Sequence, residues 1–300
     1  MKKKILIVGG TGFIGYHLAK KSLEKNWKVS SISLTRPQKK RYLPGVKYIL
    51  CDISKKESLF KKIKGTYDYV INLGGHVDHS NKAKTFNSHY IGCKNLSNFF
   101  QHKNIKRFIQ IGSGGEYGSL KSPHFETQKG RPNAVYAKAK LLATNYLLSL
   151  NIKKKFPCTI IRLYQVYGPK QDTNRFLPVL ITNCIKNKSF KTSSGIQYRD
   201  FIHIDDVIIA IFKSCKSKKA IGKIINIATG KPINIKQIIL FIKKICSGGE
   251  PDFGKIKLRK DENKRTYPNI QRSKSLLQWK PRIKFYDGIK KTIKSYNEKK

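Results

Sequence analysis

The stretch Met1–Gly15 reads MKKKILIVGGTGFIG, and its order of strand, glycine turn and helix decides the fold of this chain. Residues Ile5–Val8 form an uninterrupted apolar run, which is typical of a parallel strand buried on both faces. The residues from Ile14 through Lys21 then show the pattern of an amphipathic helix. A helix N-terminus offers free N–H groups and the positive end of its dipole, so this unit is suited to hold a phosphate.

Each glycine of the turn has its own physical reason. Gly9 permits the tight turn from strand to helix, Gly12 lets a pyrophosphate approach the backbone, and Gly15 lets helix and strand pack closely. This spacing between a strand and a helix predicts a dinucleotide-binding turn. The residues of the turn that we expect to bind the cofactor are Gly9, Thr11, Gly12, Phe13, Ile14 and Gly15.

The charge of the chain is unusually positive. Its 300 residues include 63 basic and 17 acidic side chains, which gives a net charge of +46 and raises the question of nucleic-acid binding. However, the basic residues are spread over every segment, and only 11 are arginines, the residue that base readers favour. We therefore expect a solvated basic surface rather than a nucleic-acid partner, and this surface would help to attract a polyanionic substrate.

The sequence shows no pattern of a membrane-spanning segment or of a signal peptide. No apolar run is long enough to cross a bilayer, and the N-terminal lysines lead into a strand pattern rather than a signal peptide. The six cysteines lack the paired spacing of a zinc or redox site, so we expect them to be reduced. These features predict a cytoplasmic protein without membrane association.

Strand-like and helix-like runs alternate through the first half of the chain. This alternation predicts an α/β fold, a Rossmann-type doubly wound parallel sheet with helices on both faces. The expected strands are Ile5–Val8, Lys28–Leu34, Val46–Cys51, Tyr69–Leu73, Arg107–Ile111 and Cys158–Leu163. The expected helices include Lys94–His102 and Val135–Leu150.

The pattern becomes irregular after residue 166. A helix near Arg175–Lys186 precedes a short β segment up to Arg199, and Ile224–Ile227 is predicted to return to the main sheet. We expect residues 1–166 to form the NAD(P)-binding domain, with a returning strand near 200–230, and residues 167–300 to form mainly a smaller, irregular substrate-binding lobe.

A catalytic group is predicted at the start of the long helix. Tyr136 and Lys140 are four residues apart, so their side chains project from the same helix face. A free tyrosine has a pKa of about 10. The lysine ammonium and an oxidised nicotinamide would favour the phenolate. Ser113, at the end of the fifth strand, is placed to be the third, hydroxyl-donating member.

The chain resembles the extended short-chain dehydrogenase/reductases, the NAD(P)-dependent nucleotide-sugar epimerase/dehydratase/reductase family. The resemblance covers nearly the whole length and rests on several motifs in order. Beside the glycine turn and Tyr136-Ala-Lys-Ala-Lys140, these are Arg162-Leu-Tyr-Gln-Val-Tyr-Gly-Pro169, Arg199-Asp-Phe-Ile-His-Ile-Asp-Asp206, Asn226-Ile-Ala-Thr-Gly230 and Leu277-Gln-Trp-Lys-Pro281.

The resemblance implies roles for individual residues. Ser113, Tyr136 and Lys140 would form the catalytic triad, with Tyr136 and Lys140 also touching the cofactor. Further cofactor contacts would come from Arg36, Asp52 (to the adenine), Ile53 and Leu73. The substrate would be held by Gln165, Arg175, Arg199 (on the diphosphate) and Arg259.

Two departures from the family pattern bear on the reaction. Dehydratases of the family carry an Asp-Glu pair after the catalytic hydroxyl, where this chain has Gly114 and Gly115, so a dehydratase is disfavoured. NAD-preferring relatives end their second strand in an acidic residue, whereas Ser33-Leu-Thr-Arg36 has none. Arg36 and its basic neighbours could meet a 2′-phosphate, which favours NADP over NAD as the cofactor.

A metal site is not expected. His76-Val-Asp-His79 offers two imidazoles and a carboxylate, but no third or fourth ligand is evident nearby. We expect this segment to form a loop wall over the nicotinamide or the sugar.

The sequence leaves three functions open. We favour reduction of a 4-keto-hexose, carried as a nucleoside-diphosphate sugar, by NADPH. The alternative is a nucleotide-sugar 4-epimerase that retains NAD. An alternative of another class is a Rossmann-fold RNA-binding or cofactor-sensing protein. The family resemblance also implies a homodimer, built through a four-helix contact that includes the Tyr136 helix.

Overall fold

A computed structural model describes residues 2–76, 80–258 and 262–297 of the chain. Its strands are β1 (Lys4–Val8), β2 (Lys28–Ser33), β3 (Val46–Leu50), β4 (Tyr69–Asn72), β5 (Arg107–Ser113), β6 (Cys158–Leu163), β7 (Gln165–Tyr167), β8 (Ser189–Lys191), β9 (Tyr198–Arg199), β10 (Phe201–His203), β11 (Lys223–Ile227), β12 (Ile233–Asn234), β13 (Glu250–Asp252) and β14 (Arg265–Thr266). Its helices are α1 (Phe13–Glu24), α2 (Lys56–Lys62), α3 (Lys82–Phe86), α4 (Gly92–Gln101), α5 (Val135–Lys154), α6 (Phe176–Ile185), α7 (Ile204–Lys216), α8 (Ile235–Cys246), α9 (Gln271–Leu277) and α10 (Phe285–Asn297).

Seven of the strands form one parallel sheet in the order β11-β6-β5-β4-β1-β2-β3. The order reverses between β1 and β4, and the crevice at the carboxyl ends of these strands is where doubly wound sheets bind their ligands. The Rossmann-type fold and the returning strand predicted at Ile224–Ile227 are therefore confirmed.

The two faces of the sheet bury alternate residues of each strand. In β1, Ile5 and Ile7 pack with α1 and α7, whereas Leu6 and Val8 pack with α4 and α5 on the opposite face. Every strand position from Ile5 to Val8 is thus covered by a helix layer, as the continuous apolar run indicated.

The C-terminal part is more regular than the sequence indicated. Helices α6, α8 and α10 enclose a third apolar cluster, and three small sheets pair β7 with β10, β8 with β13, and β9 with β12 and β14. Helix α7 instead packs under the main sheet beside α1. The spacing Val207, Ile208, Ile211 and Cys215 on α7 is helical, but it was not recognised from the sequence. The division of the chain at residues 166/167 stays a proposal.

Candidate active site

The glycine turn between β1 and α1 has the geometry its sequence requires. Gly9 has a φ of +79°, which favours glycine, and its N–H donates to the carbonyl oxygen of Ile32 at 2.7 Å. A Cβ on Gly15 would lie 2.3 Å from the carbonyl oxygen of Gly9. The close packing of helix on turn therefore depends on Gly15.

Gly12 differs from the other two glycines because it faces open space. It lies directly before the first residue of α1, and a Cβ built on it would meet only the carbonyl oxygen of Gly9, at 3.3 Å. No acidic side chain occurs in the first turn of the helix. The turn thus leaves room for a pyrophosphate against the helix N-terminus, and these residues fit a dinucleotide cofactor.

A cavity of about 430 Å³ lies at the carboxyl edge of the sheet beside this turn. It collects residues that are far apart in sequence, from the glycine turn, β5, α5 and the segment after β6. The sequence-predicted residues that line it are Gly9, Gly12, Phe13, Ile14, Gly15, Leu73, Ser113, Tyr136, Lys140, Gln165 and Arg175. Thr11 lies in the same turn, where its N–H faces the Ser33 hydroxyl at 3.4 Å.

Ser113 and Tyr136 meet in this cavity. Ser113 is the last residue of β5, and its hydroxyl accepts a hydrogen bond from the N–H of Gly115 at 3.1 Å. Tyr136 is the second residue of α5. Burial raises the pKa of Tyr136, and a hydrogen bond with Ser113 partly opposes that rise. The two hydroxyls can therefore share one substrate oxygen.

Lys140 lies on the same face of α5 as Tyr136, one turn further along. Its ammonium donates to the carbonyl oxygen of Ile111 at 2.6 Å and lies 6.0 Å from the centre of the Tyr136 ring. Burial lowers the pKa of Lys140 to about 8, against the opposing effects of Glu116 and Cys93. From the sequence we expected the ammonium to favour the Tyr136 phenolate. Instead, the ammonium is held by the backbone of β5, and burial is the largest influence on the pKa of Tyr136.

A histidine outside the set of predicted site residues also packs there. The ring of His89 meets the ring of Tyr136 edge to face, with centroids 4.9 Å apart. His89 lies in the π-helical segment Asn87–Ile91, which joins α3 to α4. Such segments often occur at functional sites, but no periodicity in the sequence signals one. Tyr164 and Gln171 line the cavity as well, again without a sequence signal.

Beside Thr11, three of the predicted cofactor residues do not line this cavity. Asp52 follows β3, and its carboxylate accepts hydrogen bonds from the N–H and hydroxyl of Ser54 at 2.9 and 2.7 Å. The Ile53 side chain is buried. Arg36 follows β2 and is exposed. Their roles toward an adenosine stay predictions.

Arg41, a basic neighbour of Arg36, is bound to other residues of the protein. Its guanidinium is buried, and it donates to the carbonyl oxygen of Lys170 at 2.6 Å and to the carboxylate of Asp172 at 2.7 Å. Asp172 in turn lines the cavity. Of the two arginines near the end of β2, only Arg36 therefore remains free to meet a 2′-phosphate.

A second cavity of about 450 Å³ shares Gln165 with the first. Arg199 lines it and forms an ion pair with Glu262, which also lines it. Arg175 lines the first cavity just before α6. The two adjoining cavities can thus receive an elongated ligand, with one of the predicted substrate-binding arginines in each. Arg259, the fourth predicted substrate residue, lies outside the described residues.

Among residues 2–76, 80–258 and 262–297, no cluster of three His, Cys, Asp or Glu side chains could hold a metal ion. The sequence candidate for such a site spans Val77, Asp78 and His79, which lie outside these ranges. Within the same ranges, no helix combines the length and apolar character that a membrane crossing requires. All six cysteines are free thiols, and five of them are buried.

Comparisons with known proteins match nearly the whole chain. The model of the NAD dependent epimerase/dehydratase family matches residues 5–228. A putative UDP-glucose 4-epimerase of Methanocaldococcus jannaschii is 29% identical over 96% of this chain and 97% of that protein. Human dTDP-D-glucose 4,6-dehydratase is 28% identical over 99% of this chain and 90% of that protein.

Solved structures with the same fold include two epimerases. The UDP-glucose 4-epimerase of Thermotoga maritima, determined with UDP-glucose, has a TM-score of 0.91 at 23% identity and covers 99% of both chains. The UDP-glucuronic acid 4-epimerase of Bacillus cereus, in complex with UDP-glucuronic acid and NAD, has a TM-score of 0.87 at 25% identity. It covers 99% of this chain and 100% of that one, so the fold is shared from end to end.

Proposed function

Since the chain belongs to the NAD-dependent epimerase/dehydratase family, we propose that it catalyses an oxidoreduction at C4 of a nucleoside-diphosphate sugar. The observation that carries this proposal is the meeting of Ser113, Tyr136 and Lys140 in one cavity with the Gly9–Gly15 turn. The reaction that we favour is the reduction of a 4-keto-hexose by NADPH.

The residues of the cavity supply what this chemistry needs. When bound, the nicotinamide provides the hydride acceptor or donor. Tyr136 exchanges a proton with the C4 oxygen, and Ser113 holds that oxygen by a hydrogen bond. Lys140 holds the nicotinamide ribose with its ammonium. Burial raises the pKa of Tyr136, and the protonated phenol is the form that can donate a proton to the oxygen of a ketone as it is reduced.

The segment after Ser113 argues against water elimination. Gly114 and Gly115 carry no side chain that could remove or donate a proton. Glu116, the next residue, is completely buried and ion-paired with Arg162 at 2.9 Å. No carboxylate of this turn therefore reaches the sugar, and the dehydratase reaction is disfavoured although several relatives carry that name.

The end of β2 supports NADPH as the cofactor. Strand β2 ends at Ser33, and the residues that follow up to Arg36 include no carboxylate to accept from a ribose diol. Arg36 is exposed and can approach a 2′-phosphate. A cofactor that exchanges after each turnover fits a net reduction.

A 4-epimerase that retains NAD is the second candidate. The observation that favours it is the name of the Methanocaldococcus relative, a putative UDP-glucose 4-epimerase, at 29% identity. Mass spectrometry of the cofactor released from freshly purified protein separates the two reactions. NADPH-dependent loss of a nucleoside-diphosphate 4-keto-hexose supports the reductase. Tightly held NAD with exchange between C4 epimers would establish the epimerase instead.

We further propose a cytoplasmic homodimer that packs α4 and α5 against their copies. Leu142 on α5 is 41% exposed, and burying it in such a contact would be favourable. Light scattering after size-exclusion chromatography gives the mass of the particle. The variant Leu142→Glu should shift a dimer toward monomer.

A further inference from the structure

The turn after Ser113 contains a carboxylate that reaches three structural elements at once. Glu116 is 0% exposed, and its Oε1 accepts a hydrogen bond from the N–H of Ser113 at 2.8 Å. Its Oε2 accepts from the hydroxyl of Thr144 at 2.8 Å and from Nε of Arg162 at 2.9 Å. These partners belong to the end of β5, to α5 and to β6.

We propose that Glu116 is a positioning residue of the active site, which fixes Ser113 relative to Tyr136 and Lys140 through these hydrogen bonds. The inference rests on the proposed function, because it assigns those three residues to the chemistry. Thr144 lies one turn beyond Lys140 and two turns beyond Tyr136 on the same helix. One carboxylate therefore sets the distance between the serine on β5 and the helix that carries the other two.

The surrounding backbone leaves room for this carboxylate. A Cβ on Gly112 would lie 2.4 Å from Oε1 of Glu116, and a Cβ on Gly130 would lie 2.0 Å from the carbonyl oxygen of Glu116. Any side chain at residue 112 would displace the carboxylate from the N–H of Ser113. The Glu116 carboxylate can therefore occupy its position because residue 112 of β5 is a glycine.

Glu116 acts through other residues and does not touch a ligand. It does not line the cavity, and both of its oxygens are occupied. Arg162, also buried, balances its charge and lies over the ring of Tyr117 at 4.4 Å. A group in this position can alter the reaction only by the placement or the electrostatics of its neighbours.

The charge of Glu116 also reaches Lys140. The groups that act on the Lys140 ammonium are Glu116 on the turn, Cys93 on α4 and the Ile111 carbonyl oxygen on β5, with Tyr136 beside it on α5. Burial lowers the pKa of Lys140, and the Glu116 carboxylate opposes this effect. Neutralising Glu116 should therefore make Lys140 lose its proton at a lower pH.

The test compares three variants. Glu116→Gln removes the charge, Thr144→Val removes only the bond to α5, and Glu126→Gln is the matched control. Glu126 is likewise buried, accepts from the N–H of Asn226 at 2.9 Å and faces Arg272, but it lies outside the cavity. Cofactor affinity and melting temperature are measured for each variant beside the steady-state constants.

We expect Glu116→Gln to lower kcat by about tenfold to a hundredfold, the scale of a small misplacement of reacting groups. The KM for the sugar should stay within about threefold, Thr144→Val should show a smaller loss in the same direction, and Glu126→Gln should leave kcat unchanged. An equal loss of kcat in the two glutamate variants, or none in Glu116→Gln, would overturn the proposal.

A second readout does not depend on turnover. The rate of acetic anhydride labelling at Lys140, followed by peptide mass spectrometry from pH 6 to 10, reports the proton on its amine. Glu116→Gln should move that titration to lower pH, whereas Glu126→Gln should not. An unmoved titration refutes the electrostatic part of the proposal. If the Lys140 titration moves in Glu116→Gln but the wild-type protein reduces no sugar, the proposed function is refuted instead.

Discussion

The Lys140 ammonium donates to the carbonyl oxygen of Ile111 at 2.6 Å, which ties helix α5 to strand β5 two residues before Ser113. Ser113 lies at the end of this strand and Tyr136 lies on this helix. The hydrogen bond therefore connects the two elements that carry the candidate triad. Lys140 is only 4% exposed. Its ammonium therefore has a structural partner in place before any cofactor binds.

The first test concerns the proton donor. Tyr136→Phe should lower turnover by about a hundredfold or more, since general acid–base catalysis contributes roughly 10²–10⁴. Cofactor affinity should be almost unchanged, because Phe retains the ring that packs on His89 at 4.9 Å. Steady-state kinetics and a cofactor titration measure the two effects. Near-normal turnover would remove Tyr136 from the role of proton donor.

The second test concerns the glycine turn. Gly12→Val should abolish cofactor binding while the protein stays folded. A Cβ at residue 12 meets only the Gly9 carbonyl oxygen, at 3.3 Å, so the fold has room for it. The branched side chain would nevertheless fill the space that the pyrophosphate needs. Fluorescence titration and the melting temperature are the readouts, and a normal titration would show that the cofactor phosphates lie elsewhere.

The third test concerns the choice of cofactor. Arg36→Gln should weaken NADPH binding by roughly tenfold and leave NADH binding unchanged, if Arg36 meets the 2′-phosphate. Arg41→Gln is the control, because its guanidinium is already held by Asp172 and the Lys170 carbonyl oxygen. We expect that control to lower the melting temperature without changing the ratio of the two affinities. An unchanged ratio in Arg36→Gln would favour NAD as the cofactor.

The sequence predicted best what depends on local spacing. Strand β6 occupies Cys158–Leu163 as predicted, and α5 begins at Val135 as predicted, although it extends to Lys154. The Gly9–Gly15 turn has the predicted geometry: a Cβ on Gly12 or Gly15 would face the carbonyl oxygen of Gly9, which is close in the chain, whereas a Cβ on Gly9 would meet the distant backbone of Leu73. Spacing alone also placed Tyr136 and Lys140 on one helix face.

What the sequence could not supply depends on contacts between distant segments. Nothing near Arg41 indicates that its partner is Asp172, 131 positions away. Burial of Lys140 follows from the packing of α5 on the sheet, so its lowered pKa could not be inferred from Tyr136-Ala-Lys-Ala-Lys140. No sequence pattern assigns a role to Glu116, whose partners on α5 and β6 are brought together only by the fold.

The fourth test concerns the stability of the fold against pH. His203 ends β10 with a fully buried side chain, and its Nδ1 accepts from the N–H of Asp205 at 3.2 Å. Burial lowers the pKa of His203 to about 4. The folded state thus holds it neutral, and its contribution to stability is present above about pH 6.5, the usual histidine pKa, and is lost as the pH falls toward 4. The difference of the two pKa values corresponds to roughly 3 kcal/mol.

His203→Asn keeps a hydrogen-bond acceptor at the start of α7 but cannot become charged. The loss of unfolding free energy between pH 7 and 5, measured in urea, should therefore be smaller in this variant than in the wild type. Asp200 acts in the opposite direction, since burial raises its pKa to about 6, and the comparison of two proteins that both contain it cancels its effect. His102→Asn, at an exposed position, is the control. Equal pH slopes in wild type and His203→Asn would contradict a buried neutral imidazole.

The last test concerns Arg199, which the family resemblance assigns to the substrate diphosphate. Asp200 and Asp205 lie in the same motif and are the nearest carboxylates in sequence for a structural ion pair with it. In the structure neither is its partner: Asp200 accepts from Thr229 and Gly230, Asp205 accepts from Lys291, and Arg199 pairs with Glu262. The question is therefore whether Glu262 holds the guanidinium permanently or yields it to a diphosphate.

A pair of variants separates these cases. Arg199→Lys keeps the charge but loses the planar fork that binds two oxygens at once, so the KM for the nucleotide sugar should rise several-fold. Glu262→Gln removes a competing carboxylate from the same cavity, so the KM should fall or stay unchanged. The KM for NADPH should not change in either variant, because the Gly12 turn lines the other cavity. If both variants melt early and keep the KM of the wild type, the Arg199–Glu262 pair is structural. The diphosphate would then have to lie elsewhere, with Arg175 as the remaining described cation of the predicted substrate set.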